Sequence, residues 1–260
     1  MIYLLVFAIC LFASLIGSIC GMGGGIIIKP LLDALQIMDV AVISFLSGCT
    51  VLSMSTYSVL QAKLHPGTQK PHPCRFVLAM GAAAGGILGK TLFQLVNTTV
   101  DGGAGLAQAI ALLVVTAGTF VYLLQRKRIT THNVTNRLAS AAIGLSLGLI
   151  SSFLGIGGGP MNMVVLYFFF SMTTKVAAQT SLYIIFFSQL TSLLYSITSG
   201  TVPEFSLWML VLMATGGICG GICGKRLNKR LTDENVDKLL IICILGLMVL
   251  ECYNISLFCR

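Results

Sequence analysis

The sequence predicts an all-α integral membrane protein of two inverted repeats, each a re-entrant, glycine-broken helix hairpin followed by three transmembrane helices. Three observations predict it. The chain is 56% hydrophobic and only 9% charged over 260 residues, whereas a soluble domain carries about 25% charged residues. Its charge-free runs, 1–28, 40–62, 102–125, 138–174, 176–203 and 205–224, suit spans of roughly 20 residues. Two glycine clusters, Gly23-Gly24-Gly25 and Gly157-Gly158-Gly159, recur 134 positions apart. A membrane β-barrel would alternate polar and apolar residues, and these runs do not.

The repeat extends beyond the glycines. At the same offset Met38 matches Met172 and Ser47 matches Ser181, and GGILGK (85–90) is echoed by GGICGK (220–225). The chain therefore reads as repeat 1, residues 1–128, and repeat 2, residues 129–260, within one membrane domain. Such repeats are typical of secondary transporters.

Charge sets the orientation, because basic loops stay on the cytoplasmic side. Lys63, Lys70 and Arg75 follow the second hydrophobic element of repeat 1, while the matching stretch 199–206 has no Lys or Arg and carries Glu204. The next loop reverses the bias. Residues 97–103 hold no base, and 225–238 hold Lys225, Arg226, Lys229, Arg230 and Lys238. Arg126, Lys127, Arg128 and Arg137 join the repeats. Opposite bias at matching loops predicts inverted repeats. Only Lys29, Lys90 and Arg260 then fall toward the outside.

Inversion needs an odd number of crossings per repeat, and this fixes the elements. The run 138–174 has 37 residues, about 55 Å as helix at ~1.5 Å per residue. That is too long to cross a core of ~30 Å once and too short to cross it twice with a turn. A hairpin that enters, breaks at the glycines and returns fits it. The spans follow at about 39–62, 75–97 and 103–126, then 174–199, 205–225 and 236–256. The arm 138–155 nearly suffices to cross, so eight spans in two parallel repeats remain the alternative. The N-terminus lacks a basic leader, and Ile19 before Cys20 is too large for a cleavage site, so it reads as retained.

A glycine-rich break at membrane depth exposes backbone N–H groups. The second arms, starting near Ile26 and Pro160, place helix N-termini there, with free donors and partial positive charge. Pro160 suits a first helical position. Two such ends facing each other form an anion site without a buried charge. The candidate binding residues are Gly23, Gly24, Gly25 and Ile26, with Gly157, Gly158, Gly159, Pro160 and Asn162. Ser47, Gln179, Thr180 and Ser181, at the starts of matching spans, are candidates to line the site. Gln189, Thr191 and Ser192 are weaker ones. Lys29, Lys90 and Lys225 are candidate pathway charges.

Glycines spaced by four, Gly81, Gly85 and Gly89 and again Gly216, Gly220 and Gly224, read as helix-packing ridges. Nine cysteines occur without a C-x-x-C motif or a nearby histidine, so no metal is expected. His65, His72 and His132 fall in loops. Asp33, Asp39 and Glu251 read as lying near the interfaces, so the membrane interior offers no proton carrier or catalyst. An enzyme is therefore not expected, and neither is a cofactor. The net charge of +8 is spread over loops, so nucleic acid is no partner. The partners are a small anion, the lipid bilayer and, compatibly with all of this, a second copy as a homodimer.

At the glycine clusters the sequence resembles the sulfite exporter TauE/SafE family, also called the toluene sulfonate uptake permeases. The resemblance rests on Gly21-Met22-Gly23-Gly24-Gly25 with Pro30-Leu31-Leu32. It rests equally on Gly155-Ile156-Gly157-Gly158-Gly159 with Ala178-Gln179-Thr180-Ser181-Leu182. It implies transport of sulfur-containing anions, such as sulfite or organosulfonates, across a bacterial plasma (inner) membrane. The repeats depart from one another: Val164 stands where repeat 1 has Pro30, and Phe45-Leu46-Ser47 stands for Gln-Thr-Ser. A passive anion channel using the same helix ends is the alternative function, and a non-transport membrane protein a remoter one.

Overall fold

The computed structural model describes residues 2–64, 72–99 and 103–258. His65, Lys70 and Arg260 lie outside them, as does the side chain of Lys127. The described residues form ten α-helices and no strand. They are α1 (Ile2–Cys20), α2 (Gly25–Leu35), α3 (Val40–Leu64), α4 (Arg75–Thr99), α5 (Gly103–Gln125), α6 (Arg137–Leu154), α7 (Gly159–Phe170), α8 (Thr174–Thr198), α9 (Leu207–Arg230) and α10 (Asp233–Phe258). Eight are long and apolar enough to cross a membrane. The other two, α2 and α7, have 11 and 12 residues. The chain is an all-α integral membrane protein, and the six expected spans appear within a few residues of their expected limits.

The arms α1 and α6, with 19 and 18 residues, also reach spanning length. Each ends in a glycine break and continues into a short helix. The short helix α7 runs back toward the start of α6: the N–H groups of His132 and Val134, just before α6, donate to Phe168 O (2.7 Å) and Phe169 O (2.9 Å). On the other side, Val6 of α1 shares a buried cluster with Ile28 and Leu32 of α2 and Ile43 of α3.

Packing exchanges elements between the halves of the chain. The ridge Gly81, Gly85, Gly89 of α4 lies on the backbone of α6, where a Cβ would strike the carbonyls of Ala141, Leu145 and Leu149. The ridge Gly216, Gly220, Gly224 of α9 meets Phe7, Leu11 and Leu15 of α1 in the same way. Ascending numbers face ascending numbers in both pairs, so each pair runs parallel. By contrast, α3 and α8 run antiparallel. Gly48 faces Gln189 and Leu193, Val51 and Ile185 share a buried cluster, and Ser58 and Gln179 line one cavity. The outer helices α5 and α10 are antiparallel too, with Gly105 against Phe258 and Arg126 bonded to Asp237 at 3.0 Å. They turn Val114, Val121, Ile242 and Val249 outward, as lipid-facing helices do.

Candidate functional site

The two glycine breaks meet. A Cβ on Gly25 would stand 2.6 Å from Ile156 O, and one on Gly159 would stand 2.5 Å from the Ile26 side chain. Gly23 faces Val51 and Ile185, the point where α3 and α8 cross. The breaks share a backbone shape. Gly21 and Gly155 have φ of 72° and 67°, and Gly23 and Gly157 have 77° and 80°. Residues with a Cβ avoid this region, which explains why glycine recurs at these positions.

The start of α2 leaves donors free. Met22 and Gly23 N–H both turn back to Gly17 O, and Gly24 O accepts from Ile27 and Ile28. Among the described residues no carbonyl takes the N–H groups of Gly24, Gly25 or Ile26. On α7, Gly158 (φ 97°) holds the cap position without a side-chain bond, and Pro160 sits in the first turn, as expected. Its N–H groups at Gly157, Gly158 and Gly159 are likewise untaken. The first four amides of any helix need outside partners, and here they are buried together.

Side chains add to this. Asn162 is fully buried; its Nδ2 donates to Ser181 Oγ at 3.3 Å, and its Oδ1 has no partner. It folds back over Gly158. Ser47 Oγ is buried and unpartnered. So is Ser14 Oγ, which lies against Gly24, and Ser44 Oγ, which lies against Gly155. The position of Ser14 and Ser44 was not legible in the sequence. The signal that could have found them is that each packs where only glycine fits opposite. Thr180 is buried without a side-chain hydrogen bond among the described residues.

Other candidates lie elsewhere. Gln179 is exposed at the mouth of a cavity of about 60 Å³, lined also by Ser18, Arg75, Lys225, Asn228 and Lys229. Its neighbour Ala178 packs against Gly21 of the first break, while Gln179 itself lines this cavity. Lys225 belongs to this mouth and donates to Ser58 O at 2.9 Å. Arg126, with Asp237 and Thr174, lies at the same end of the bundle. Between the mouth and the breaks stand Val51, Met54, Leu182 and Ile185, a buried apolar plug. Lys90 is 7% exposed, over the Phe93 ring.

Lys29 is not a free pathway charge. It is 3% exposed and bonds Asp33 Oδ2 at 2.6 Å, one turn along α2. Asp33 and Glu251 are covered by protein, 8% and 2% exposed. The reason is that α2 is short and runs inside the bundle, so its polar side chains are covered by α5 and α10.

A bundle of spanning helices around two broken hairpins with buried backbone donors defines a multi-pass membrane protein. The family model described as "Sulfite exporter TauE/SafE" matches residues 6–251, nearly the whole chain, and the protein belongs to that family. No curated protein and no solved structure matches it.

Proposed function

We propose that the chain is a secondary transporter of small sulfur-containing anions, such as sulfite or organosulfonates, across the plasma membrane. The anion binds where the N-termini of α2 and α7 face each other, with Asn162, Ser181 and Ser47 beside them. The observation that carries this reading is the juxtaposition of two glycine breaks whose untaken N–H groups and unpartnered hydroxyls are buried together. Aligned donors of this kind favour an anion without the cost of burying a cation.

The halves act as inverted repeats. Antiparallel packing of α3 on α8 and of α5 on α10 supports this, because a two-fold axis along the membrane normal would make corresponding helices parallel. The basic end of the bundle, with Arg75, Lys225 and Lys229, faces the cytoplasm and gathers anions. Alternating access opens the Val51–Met54–Leu182–Ile185 plug from that side. The plug favours a gated carrier over an open channel.

Uptake of radiolabelled sulfite into liposomes holding the purified protein tests this, with thiosulfate, sulfonates and sulfate as competitors. Saturable uptake that sulfur oxyanions compete is the expected result. Flux linear in concentration would point to a channel, and absence of flux for every anion would remove the transport reading.

A further inference from the structure

Opposite the basic mouth, the side chains of the first hairpin enclose a second polar centre. Lys29 and Asp33 of α2, Gln108 of α5 and Glu251 of α10 line a cavity of about 10 Å³, closed otherwise by Pro30, Ala109, Leu112 and Leu154. That is room for about one water at most. The centre is rich in unmet acceptors. Asp33 Oδ1, Gln108 Oε1, Glu251 Oε1 and, one turn further along α10, Asn254 Oδ1 are all buried without a partner. Each amide directs one N–H elsewhere, Gln108 Nε2 to Phe153 O (2.6 Å) and Asn254 Nδ2 to Pro30 O (3.0 Å). The one cation, Lys29, is bonded to Asp33.

The charges do not balance. Lys29 offsets one carboxylate, and among the described residues no second base lines the cavity: α1 carries no charged residue, α5 offers only Gln108, and α6 offers Leu154. The remaining acids and base of α10, from Asp233 to Lys238, lie at its far end. A buried carboxylate without a counter-charge takes up a proton instead. The same proton supplies a further donor to a centre with four unpartnered acceptor oxygens.

The centre also has an approach. Asp33 lines both this cavity and an open pocket at the turn between α2 and α3, shared with Gln36, Asp39 and Phe258. Its carboxylate thus stands between solvent and Glu251.

We infer that Glu251 is the proton-carrying group of the transporter, loaded from the α2–α3 side through Asp33, with Lys29 positioning Asp33. The proton comes from water at the open pocket, binds the Glu251 carboxylate and leaves again as a proton. No other bond changes. Coupling follows from geometry: Lys29 and Asp33 sit on the helix whose first turn, Gly25 and Ile26, is the proposed anion site. Whatever fixes or frees one end of α2 moves the other. This inference rests on the transport reading above.

The test uses the full chain in liposomes containing a pH-sensitive dye, with sulfite, thiosulfate and methanesulfonate as probes. In the wild type, a pH gradient of one polarity should drive accumulation at least tenfold over the gradient-free level, with a matching dye signal. Glu251→Gln, which mimics the protonated acid in shape, should abolish both while leaving anion counterflow at equal pH within threefold. Asp33→Asn should slow proton loading and shift the pH profile. Infrared difference spectra should show a carboxylic-acid carbonyl band that titrates in the wild type and is missing in Glu251→Gln. Gradient-driven accumulation that survives in Glu251→Gln would overturn the inference, as would accumulation driven by a sodium gradient alone. If no probe is carried but the band titrates and vanishes in the variant, the transport reading fails and the proton site stands. If neither occurs, both fail.

Discussion

At the fifth residue of its short arm the first hairpin carries Lys29, where the second carries Met163; at the ninth it has Asp33, where the second has Tyr167. One residue before Lys29 it has Ile28, where the second has Asn162. The tips keep matching φ angles while the arms divide the polar chemistry. The second hairpin lends its amide side chain to the centre of the molecule. The first buries an ion pair away from it. The second hairpin's ionic contacts are peripheral instead: Arg126 stacks over the Tyr167 ring at 3.8 Å and pairs with Asp237, both 27–32% exposed. The two hairpins thus share their backbone geometry and differ in the polar side chains they carry.

The comparison can be broken most severely where the halves are most alike. Gly85→Leu and Gly220→Leu should each abolish folded, monodisperse protein in detergent, because the added side chain meets the backbone of Leu145 or Leu11. Folding of one variant but not the other would mean that the two ridges are not equivalent. Next come the ion pairs. Lys29→Ala leaves Asp33 buried and uncompensated, and should cost about 3–5 kcal/mol in a thermal-unfolding assay. Arg126→Ala should cost no more than about 1 kcal/mol, and added salt should shrink only that second effect. Equal losses would erase the distinction between a buried and a peripheral pair.

Smaller effects sharpen the division of labour at the tips. Asn162→Ala should weaken anion binding by about tenfold or more, consistent with ~1.5–3 kcal/mol for a hydrogen bond to a charged group. Ile28→Val, at the matching place, should change affinity less than threefold. The smallest effect belongs to the mouth. Lys229→Gln should raise the KM for a sulfur anion a few-fold at low salt, with kcat unchanged, and the difference should fade as ionic strength rises.

The element limits were legible because most spans are long apolar runs with few charges, bounded by bases or turn residues. The loop from Arg126 to Arg137 and the glycine breaks mark themselves in this way. The depth of α2 was not legible. Lys29 and Asp33 sit one turn apart beside Pro30 and Gln36, a pattern that reads as an interface. Only the folding of α2 inward against α5 and α10 buries them, and that depends on contacts more than 70 positions away. Gln179 lines the mouth cavity, next to the Ala178 that Gly21 packs against. A span's start can be assigned within a turn from sequence, but one turn decides whether a side chain faces the mouth or the centre. Ser14 and Ser44 were invisible because a serine in an apolar helix usually bonds its own backbone.

The crossed ridges bear on how the chain is made. The groove of α4 is filled by α6, and that of α9 by α1. A ribosome that has delivered only the first half has therefore inserted two surfaces whose mates do not yet exist. The partners arrive in opposite order: α6 comes soon after α4, while α1 waits for almost the whole chain. Assembly must close around the earliest helix last. A fragment ending near residue 128 lacks half of each seam, and co-expression with the remainder is expected to supply both missing halves.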